Sequence, residues 1–267
     1  MTPDLQSYDV LLVNSSAGKD SQAMLDQVVA LAAAAGIQDR VVVVHADLGR
    51  VEWQGTRALA EEQAAHYGVR FEVVKRTQND LLDHVKARGR WPGMGPTRYC
   101  TSDHKRGPVR TLMTRLVREL GELSWRRGRP VRILNCMGMR AAESPARAKM
   151  RSFEHDKASS NSRRHVDKWL PIHDWSKDQV WTRIRESGVR HHRAYDLGMP
   201  RLSCVFCIYA PRDALLLAGE HNPELLAEYV SVERLIRHKF KADLAIEDIQ
   251  EALARGERAA KPADWAM

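Results

Sequence analysis

Short apolar runs alternate with helix-forming segments through the first half of this 267-residue chain. The runs predict strands at 9–13, 40–47, 69–75 and 131–138, and the segments between them predict helices from residue 22 and at about 51–67, 79–88 and 108–120. Strands that alternate with helices pair in parallel and are covered on both faces. We therefore expect an α/β fold with a doubly wound, mostly parallel sheet, followed from about residue 210 by a helical C-terminal extension.

A segment of small residues, "VNSSAGKDS", joins the first predicted strand to the first predicted helix. A Walker A loop, G-x-x-x-x-G-K-[ST], would require Gly at position 13 and Ser or Thr at position 20, where this chain has Val13 and Asp20. The segment is therefore not a Walker A loop. Free N–H groups and the helix dipole nevertheless favour phosphate between a strand end and a helix start. The alternative is an ordinary turn between strand and helix.

The chain is basic, with 42 Lys and Arg against 34 Asp and Glu and a formal net charge of +8. Basic clusters at 126–129 and 163–165 suit nucleic acid or polyphosphate, although solvated loops would give the same pattern. The amino end has no basic region followed by a long apolar stretch, and the longest apolar run, at 28–35, is too short to span a bilayer. We expect a cytoplasmic protein without a membrane segment.

The segment 148–166 is polar and basic with little periodicity, which predicts a mobile loop or lid. A helix is predicted at 176–186, capped by Ser176. These features suggest two domains: residues 1–170 as a nucleotide-binding α/β domain, and residues 171–267 as a mostly helical region that carries a C-x-x-C motif.

The sequence Ser16-Ala17-Gly18-Lys19-Asp20-Ser21 resembles the S-G-G-x-D-S loop of the N-type ATP pyrophosphatases, with Ala17 in place of one glycine. Further stretches match the phosphoadenosine phosphosulfate reductase-like branch of that superfamily in order. They are "HADLG", "RYCTSDHKRGP", "GMRAAESPAR", "LPIHDWSKDQVW" and "RLSCVFC". The resemblance extends from about residue 10 to residue 209, which is most of the chain.

The resemblance implies that the loop binds the phosphates of ATP through Ser16, Ala17, Gly18, Lys19, Asp20 and Ser21. Asp47 and Gly49 would lie near the adenosine. Lys19, Asp20, Arg140 and Glu143 would be catalytic, with Asp20 suited to the Mg²⁺ that accompanies the nucleotide. For Arg140 and Glu143 the alternative is a surface ion pair.

The chain has four cysteines: Cys100, Cys136, Cys204 and Cys207. The C-x-x-C spacing of the last two suits a metal, an iron–sulfur cluster or a redox pair. The resemblance implies that Cys100 joins them around a 4Fe–4S cluster near the ATP phosphates; a Zn²⁺ site with His104 is the alternative. Cys136 falls in a predicted buried strand, where a cysteine is usually an inert small side chain.

Two departures from the family pattern bear on function. Cluster-containing members that reduce sulfate have paired cysteines where this chain has Tyr99-Cys100, and the E-C-G-[LI]-H tail of sulfonucleotide reductases is absent, since no cysteine follows Cys207. We therefore expect an ATP pyrophosphatase-type enzyme that adenylates an acceptor for sulfur insertion, similar to the DNA phosphorothioation enzymes. The acceptor would be DNA or tRNA, the sulfur donor a protein such as a cysteine desulfurase, and the enzyme a monomer or a homo-oligomer. A sulfonucleotide reductase and a non-catalytic nucleotide sensor are the alternatives.

Overall fold

The computed structural model describes residues 2–93, 97–121 and 128–262. The chain forms two compact units. The first unit comprises Met1–Ala46, Arg57–Val74 and Pro108–His191, and the second comprises Asp47–Thr56, Lys75–Gly107 and His192–Met267. These units are interleaved along the chain. The contiguous domains 1–170 and 171–267 stay a prediction, because a domain is defined by independent folding as well as by compactness.

The sheet has six strands in the spatial order β3-β2-β1-β4-β6-β5. Their bounds are β1 Val10–Ser15, β2 Val41–Asp47, β3 Arg70–Lys75, β4 Val131–Met137, β5 Phe153–His155 and β6 Arg164–Trp169. β1 is parallel to both β2 and β4, and β4 is parallel to β6, whereas β5 is antiparallel to β6. The predicted doubly wound, mostly parallel α/β sheet is confirmed.

The helices follow the order that the sequence predicts. Their bounds are α1 Lys19–Ala34, α2 Thr56–His66, α3 Leu81–Arg88, α4 Tyr99–Thr101, α5 Gly107–Glu119, α6 Pro145–Ala148, α7 Lys177–Ser187, α8 Arg212–His221, α9 Pro223–Ile236 and α10 Ile246–Ala254. The cap at Ser176 is also present, since its side chain accepts a hydrogen bond from the N–H of Gln179 at 3.1 Å. The helices α8 to α10 confirm the helical C-terminal extension. Among the described residues, no helix is both long enough and apolar enough to cross a membrane.

The central strand β1 is buried on both faces because its side chains alternate between two cores. Leu11 and Val13 pack in a core with α1 and α7, while Val10 and Leu12 pack in a core with α5. Each fully buried side chain of this size contributes about 1.5–3 kcal/mol. The continuous apolar run of β1 is thus what a strand covered by helices on both sides requires.

The segment 148–166 is not the irregular loop or lid that its composition predicts. Part of it forms β5 and the start of β6, and the connection is held by Asp156, whose carboxylate accepts from the N–H of Ser159 at 3.1 Å and from its hydroxyl at 2.6 Å. The hydroxyl of Ser160 accepts from the N–H of Val166 at 2.9 Å. The lid prediction was wrong because polar side chains and backbone pairing, rather than apolar periodicity, stabilise this edge of the sheet.

The strand order reverses between β1 and β4, so the loops that follow these two strands meet at the carboxyl edge of the sheet. Gly138 follows β4 and lies against the first turn of α1. A Cβ atom at this position would be 2.8 Å from the carbonyl oxygen of Asp20 and 3.0 Å from the nitrogen of Ser21. Only glycine therefore allows the two loops to approach this closely.

We predict that Gly138→Ala lowers the free energy of unfolding by about 1–3 kcal/mol, because the added methyl group overpacks backbone that cannot move aside. Gly121→Ala is the matched control, since nothing lies within 4 Å of the Cβ that it would add. Urea denaturation followed by circular dichroism measures both variants. Equal free energies of unfolding in the two variants would show that the close approach of Gly138 to α1 does not contribute to stability.

Candidate active site

The loop Ser16–Gly18 joins β1 to α1. Hydrogen bonds to the flanking serines, Ser15 and Ser21, hold it closed. The hydroxyl of Ser21 donates to the carbonyl of Gly18 at 2.9 Å and accepts from the N–H of Ser16 at 3.2 Å. Ala17 has a left-handed backbone with φ +56°, and its N–H donates to the hydroxyl of Ser15 at 3.2 Å. The loop thus keeps a glycine-like conformation although a methyl group stands where the related loop has glycine.

The amino end of α1 has the features of an anion site. Gly18 is the N-cap residue and provides no side-chain cap, so the first turn presents backbone N–H groups. The helix has 16 residues, and its dipole adds positive potential at this end.

Two buried cations share one carboxylate beside this helix start. Lys19 Nζ lies 3.5 Å from Asp20 Oδ2, and Arg140 Nε donates to Asp20 Oδ1 at 2.6 Å. The side chains of Lys19 and Arg140 are only 2% and 4% exposed, and that of Asp20 is 15% exposed. Counting these three groups, the site carries one excess positive charge. Both cations and the N–H groups of the helix start can donate to an anion that binds here.

Arg140 is positioned by Glu143 and Arg147. The N–H of Arg140 donates to Glu143 Oε2 at 3.0 Å, and the same carboxylate is paired with Arg147. The guanidinium of Arg140 therefore pairs with Asp20, not with Glu143. Both side chains are largely buried, so the two residues are not a surface ion pair. Glu143 contacts the backbone of Arg140, and the catalytic roles of both residues stay predictions.

Asp47, the last residue of β2, and Gly49, which follows this strand, lie in the second unit. Asp47 Oδ1 accepts from the N–H of Gly49 at 2.8 Å, which closes a turn. Gly49 has φ +78°, and a Cβ there would lie 2.5 Å from the Cβ of Asp80. Both residues thus shape a tight turn, and their contact with adenosine stays a prediction.

Cys100, Cys204 and Cys207 pack against the same apolar core of the second unit. Burial raises the pKa of the Cys100 and Cys204 thiols, Lys105 opposes this shift, and the neighbouring cysteines reinforce it. The three thiols are therefore close enough to interact electrostatically. Their position relative to the ATP phosphates stays a prediction.

The geometry does not support a zinc site with His104. His104 Nε2 lies 2.9 Å from His84 Nδ1, and burial lowers the pKa of His104 to about 4, with His84 adding to the shift. Ligands of one tetrahedral zinc ion lie within about 4 Å of one another. Among the described residues, no group of three ligand atoms within 4.8 Å of one another includes a cysteine. The thiolates of a 4Fe–4S cluster bind different iron atoms, so the limit of about 4 Å does not apply to them.

Cys136 is fully buried in β4 of the first unit. Its thiol donates weakly to the carbonyl of Leu134 at 3.7 Å, and burial raises its pKa. This placement agrees with an inert core side chain.

The basic clusters are less exposed than the sequence indicates. Arg126 and Arg127 lie outside the described residues, and Arg129 is paired with Asp9 at 2.7 Å. Arg164 is buried and donates to the carbonyl of Ser159 at 2.6 Å. Arg163 of the second cluster is exposed, and so are Arg151 and Lys157, which precede it in the chain.

The sequence does not predict a special role for Gln22. Gln22 follows the loop on α1, and its amide donates to the carbonyls of Val189 at 3.0 Å and Arg190 at 3.1 Å. Its buried Oε1 has no hydrogen-bond partner among the described residues. A polar side chain within the otherwise apolar stripe of α1 is the signal that could have identified it.

The chain is similar to known proteins in sequence and in fold. The chain is 29% identical over 179 residues to an uncharacterized 37.8 kDa protein in the gpa 5′ region of Escherichia phage 186, covering 67% of this chain and 50% of that protein. It is 26% identical over 167 residues to adenosine 5′-phosphosulfate reductase of Allochromatium vinosum, covering 61% and 57%. The chain thus spans about half the length of these curated relatives. A solved structure of phosphoadenylyl-sulfate reductase from Candida auris, in complex with phosphate, aligns with a TM-score of 0.47 and 18% identity over 75% of this chain and 84% of that one.

A family model, the phosphoadenosine phosphosulfate reductase domain, matches residues 10–210. This range includes the phosphate-type loop, the Arg140 segment and all four cysteines. The chain therefore belongs to the phosphoadenosine phosphosulfate reductase domain family.

Proposed function

We propose that this protein is an ATP pyrophosphatase-type enzyme that adenylates an acceptor so that sulfur can displace AMP. The observation that carries the proposal is the pair of buried cations, Lys19 and Arg140, held on Asp20 beside the uncapped start of α1. A polyphosphate suits the two cations and the N–H groups at this helix start. The family membership supports a nucleotide as the source of that polyphosphate.

ATP would bind with its phosphates against the N–H groups of α1 and the two cations. Charge-assisted hydrogen bonds from Lys19 and Arg140 to phosphate would replace those that both residues make to Asp20. The freed carboxylate of Asp20 then suits the Mg²⁺ carried by ATP, because Mg²⁺ prefers carboxylate, water and phosphate oxygens. The carboxylate of Glu143 keeps Arg140 in place by accepting a hydrogen bond from the backbone N–H of Arg140.

The reaction proceeds in two displacements. An oxygen of the acceptor attacks the α-phosphorus of ATP, the bond from that phosphorus to the bridging oxygen breaks, and pyrophosphate leaves. Lys19 and Arg140 stabilise the charge that develops on the leaving group. Hydrosulfide then bonds to the activated atom of the acceptor, and AMP leaves with the acceptor oxygen. One proton is released and no net oxidation occurs.

We propose that the acceptor is a phosphate of the DNA backbone, with a tRNA base as the other acceptor class. The net charge of +8 and the exposed Arg151, Lys157 and Arg163 support a polyanionic substrate. The sulfur would come from a protein donor such as a cysteine desulfurase, whose persulfide releases hydrosulfide when a thiol reduces it.

Cys100, Cys204 and Cys207 would hold a 4Fe–4S cluster. Their shared position on one core and their mutual electrostatic influence fit a group larger than a single metal ion. Such a cluster, held by three thiolates, has one iron open to an outside ligand and would supply a binding site for sulfide.

A second function, reduction of a sulfonucleotide, is favoured by the similarity to adenosine 5′-phosphosulfate reductase. The same loop could bind an adenylyl sulfate. The residues from Ile208 to Met267 contain no cysteine, so this stretch of the chain offers no thiol nucleophile. A thiol from a partner protein would be required.

Turnover distinguishes the functions. With Mg²⁺-ATP, hydrosulfide and DNA, we expect pyrophosphate and AMP in equal amounts and sulfur in the DNA, measured by pyrophosphate assay and mass spectrometry of nuclease digests. The same products with tRNA in place of DNA would show that the acceptor is tRNA. Sulfite release from adenosine 5′-phosphosulfate with a thiol, without pyrophosphate release from ATP, would establish the reductase. Neither product, with ATP bound, would indicate a sensor.

We predict that Lys19→Met weakens binding of Mg²⁺-ATP by about 10- to 150-fold, because a charge-assisted hydrogen bond contributes about 1.5–3 kcal/mol. Methionine fills most of the volume of the buried lysine side chain and removes its charge and its hydrogen-bond donors. Isothermal titration calorimetry measures the affinity, and Lys157→Met, at an exposed position, is the control. Unchanged affinity in Lys19→Met would make the loop a structural turn only.

We expect anaerobically purified protein to be brown and to contain iron and acid-labile sulfide. Cys100→Ser, Cys204→Ser and Cys207→Ser should each lose the visible absorbance, because each removes one ligand of the cluster. Cys136→Ala should keep it, since that residue is buried in β4. Loss of the visible absorbance in all four variants, or in none of them, would contradict the assignment of these three ligands.

A further inference from the structure

The edge of the sheet formed by β5 and β6 carries a group of two histidines and one aspartate. His165 and Asp167 are two residues apart on β6, so they point to the same face, and His155 on β5 pairs in register with Asp167. Among the described residues, this is the only group of three His, Cys, Asp or Glu side chains whose ligand atoms all lie within 4.8 Å of one another.

The distances within the group match those between the ligands of one metal ion. Asp167 Oδ1 lies 3.2 Å from His155 Nδ1 and 3.0 Å from His165 Nε2. Ligands at about 2.0–2.2 Å from a tetrahedral ion are separated by about 3.2–3.6 Å. The carboxylate oxygen and each imidazole nitrogen are thus about as close as two ligands of one ion, and the two imidazole nitrogens lie within 4.8 Å of each other.

The carboxylate is oriented by groups on its other side. The hydroxyl of Tyr8 donates to Asp167 Oδ2 at 2.7 Å, and Arg132 lies 3.9 Å from the same oxygen. Arg132 also lies over the ring of Tyr8, 4.9 Å from its centroid. Asp167 is buried, so Tyr8 and Arg132 hold its carboxylate in place. His155 Nδ1 contacts Oδ1, whereas His165 Nε2 lies 3.0 Å from both carboxylate oxygens. Hydrogen-bonded carboxylates of this kind are typical of metal sites.

We propose that His155, His165 and Asp167 bind a first-row divalent transition metal such as Zn²⁺, with water completing the coordination. Two imidazoles and one carboxylate suit Zn²⁺, Co²⁺ and Ni²⁺ better than Mg²⁺ or Ca²⁺, which prefer oxygen ligands only. The ion would replace the protons that now lie between the imidazole nitrogens and the carboxylate.

The histidine rings can adopt this geometry without disturbing the core. They are stacked with centroids 4.3 Å apart and an interplanar angle of 23°, so one ring must rotate to direct its lone pair at the same ion. The side chains of His155 and His165 are 37% and 41% exposed. Because both imidazoles are partly exposed, each has a solvent-facing side towards which it can rotate.

This metal site is separate from the phosphate-type loop within the first unit. Asp167 pairs in register with Leu134 of β4, three residues before β4 ends at Met137. The loop containing Gly138 and Arg140 follows that end. The ion would instead join the three-residue edge strand β5 to β6, and would stabilise the edge of the sheet.

Titration of the intact protein with Co²⁺ tests the proposal, because bound Co²⁺ absorbs in the visible range and thiolate ligands add a near-ultraviolet charge-transfer band. We expect one equivalent bound without that band in wild type and in Cys204→Ser. His155→Ala and His165→Ala should each lose this binding, whereas His66→Ala, at an exposed histidine on α2, should keep it.

Two further measurements address the role of the site. Tyr8→Phe should weaken Co²⁺ binding by about 10- to 100-fold, the usual effect of removing a hydrogen bond to a ligand. Zn²⁺ should raise the thermal unfolding temperature of wild type and of Cys204→Ser, but not that of His155→Ala or His165→Ala. Unfolding scans without metal establish that these variants are folded. Equal Co²⁺ affinity in wild type and the two histidine variants, or loss of all binding in Cys204→Ser, would overturn the proposal.

Discussion

The ion pair between Arg140 and Asp20 is the interaction on which the arrangement of the proposed active site depends. It joins the loop after β4 to the first turn of α1, and the absence of a side chain at Gly138 allows the two backbones to come close enough for it to form. Because both side chains are largely buried, breaking the pair without supplying another anion would leave charge uncompensated. The same pair therefore stabilises the switch point of the sheet, where the proposed phosphate site lies.

Those parts of the fold whose stability comes from apolar burial could be predicted from the sequence. β1 and β2 are continuous apolar runs because helices or further strands surround them, and such runs are visible without a structure. β6, with the sequence R-H-V-D-K-W, could not be recognised in this way. Its charged residues are accommodated by contacts with other segments, such as the bond from Arg164 to the hydroxyl of Thr114 at 2.7 Å.

The candidate site likewise has residues that could be predicted from the sequence and contacts that could not. The sequence around Lys19 and Asp20 is a local motif, so it could be identified, and Arg140 could be named from a second motif. That Arg140 pairs with Asp20 rather than with Glu143 depends on a contact between residues 120 positions apart, which no local pattern specifies. The group of His155, His165 and Asp167 likewise requires the pairing of β5 with β6. His165 and Asp167 alone, two residues apart, are too common a pattern to indicate a metal.

The left-handed backbone of Ala17 has a consequence for how the loop responds to a ligand. An alanine in this conformation costs roughly 1–2 kcal/mol relative to glycine, and the hydrogen bonds of Ser15 and Ser21 hold the loop in that conformation. The methyl group also removes most of the other conformations that a glycine would sample in the unbound loop. Binding of an anion here would consequently cost less conformational entropy, because the loop is already restricted to one conformation. The strain at this residue thus accompanies a loop that is preorganised for phosphate.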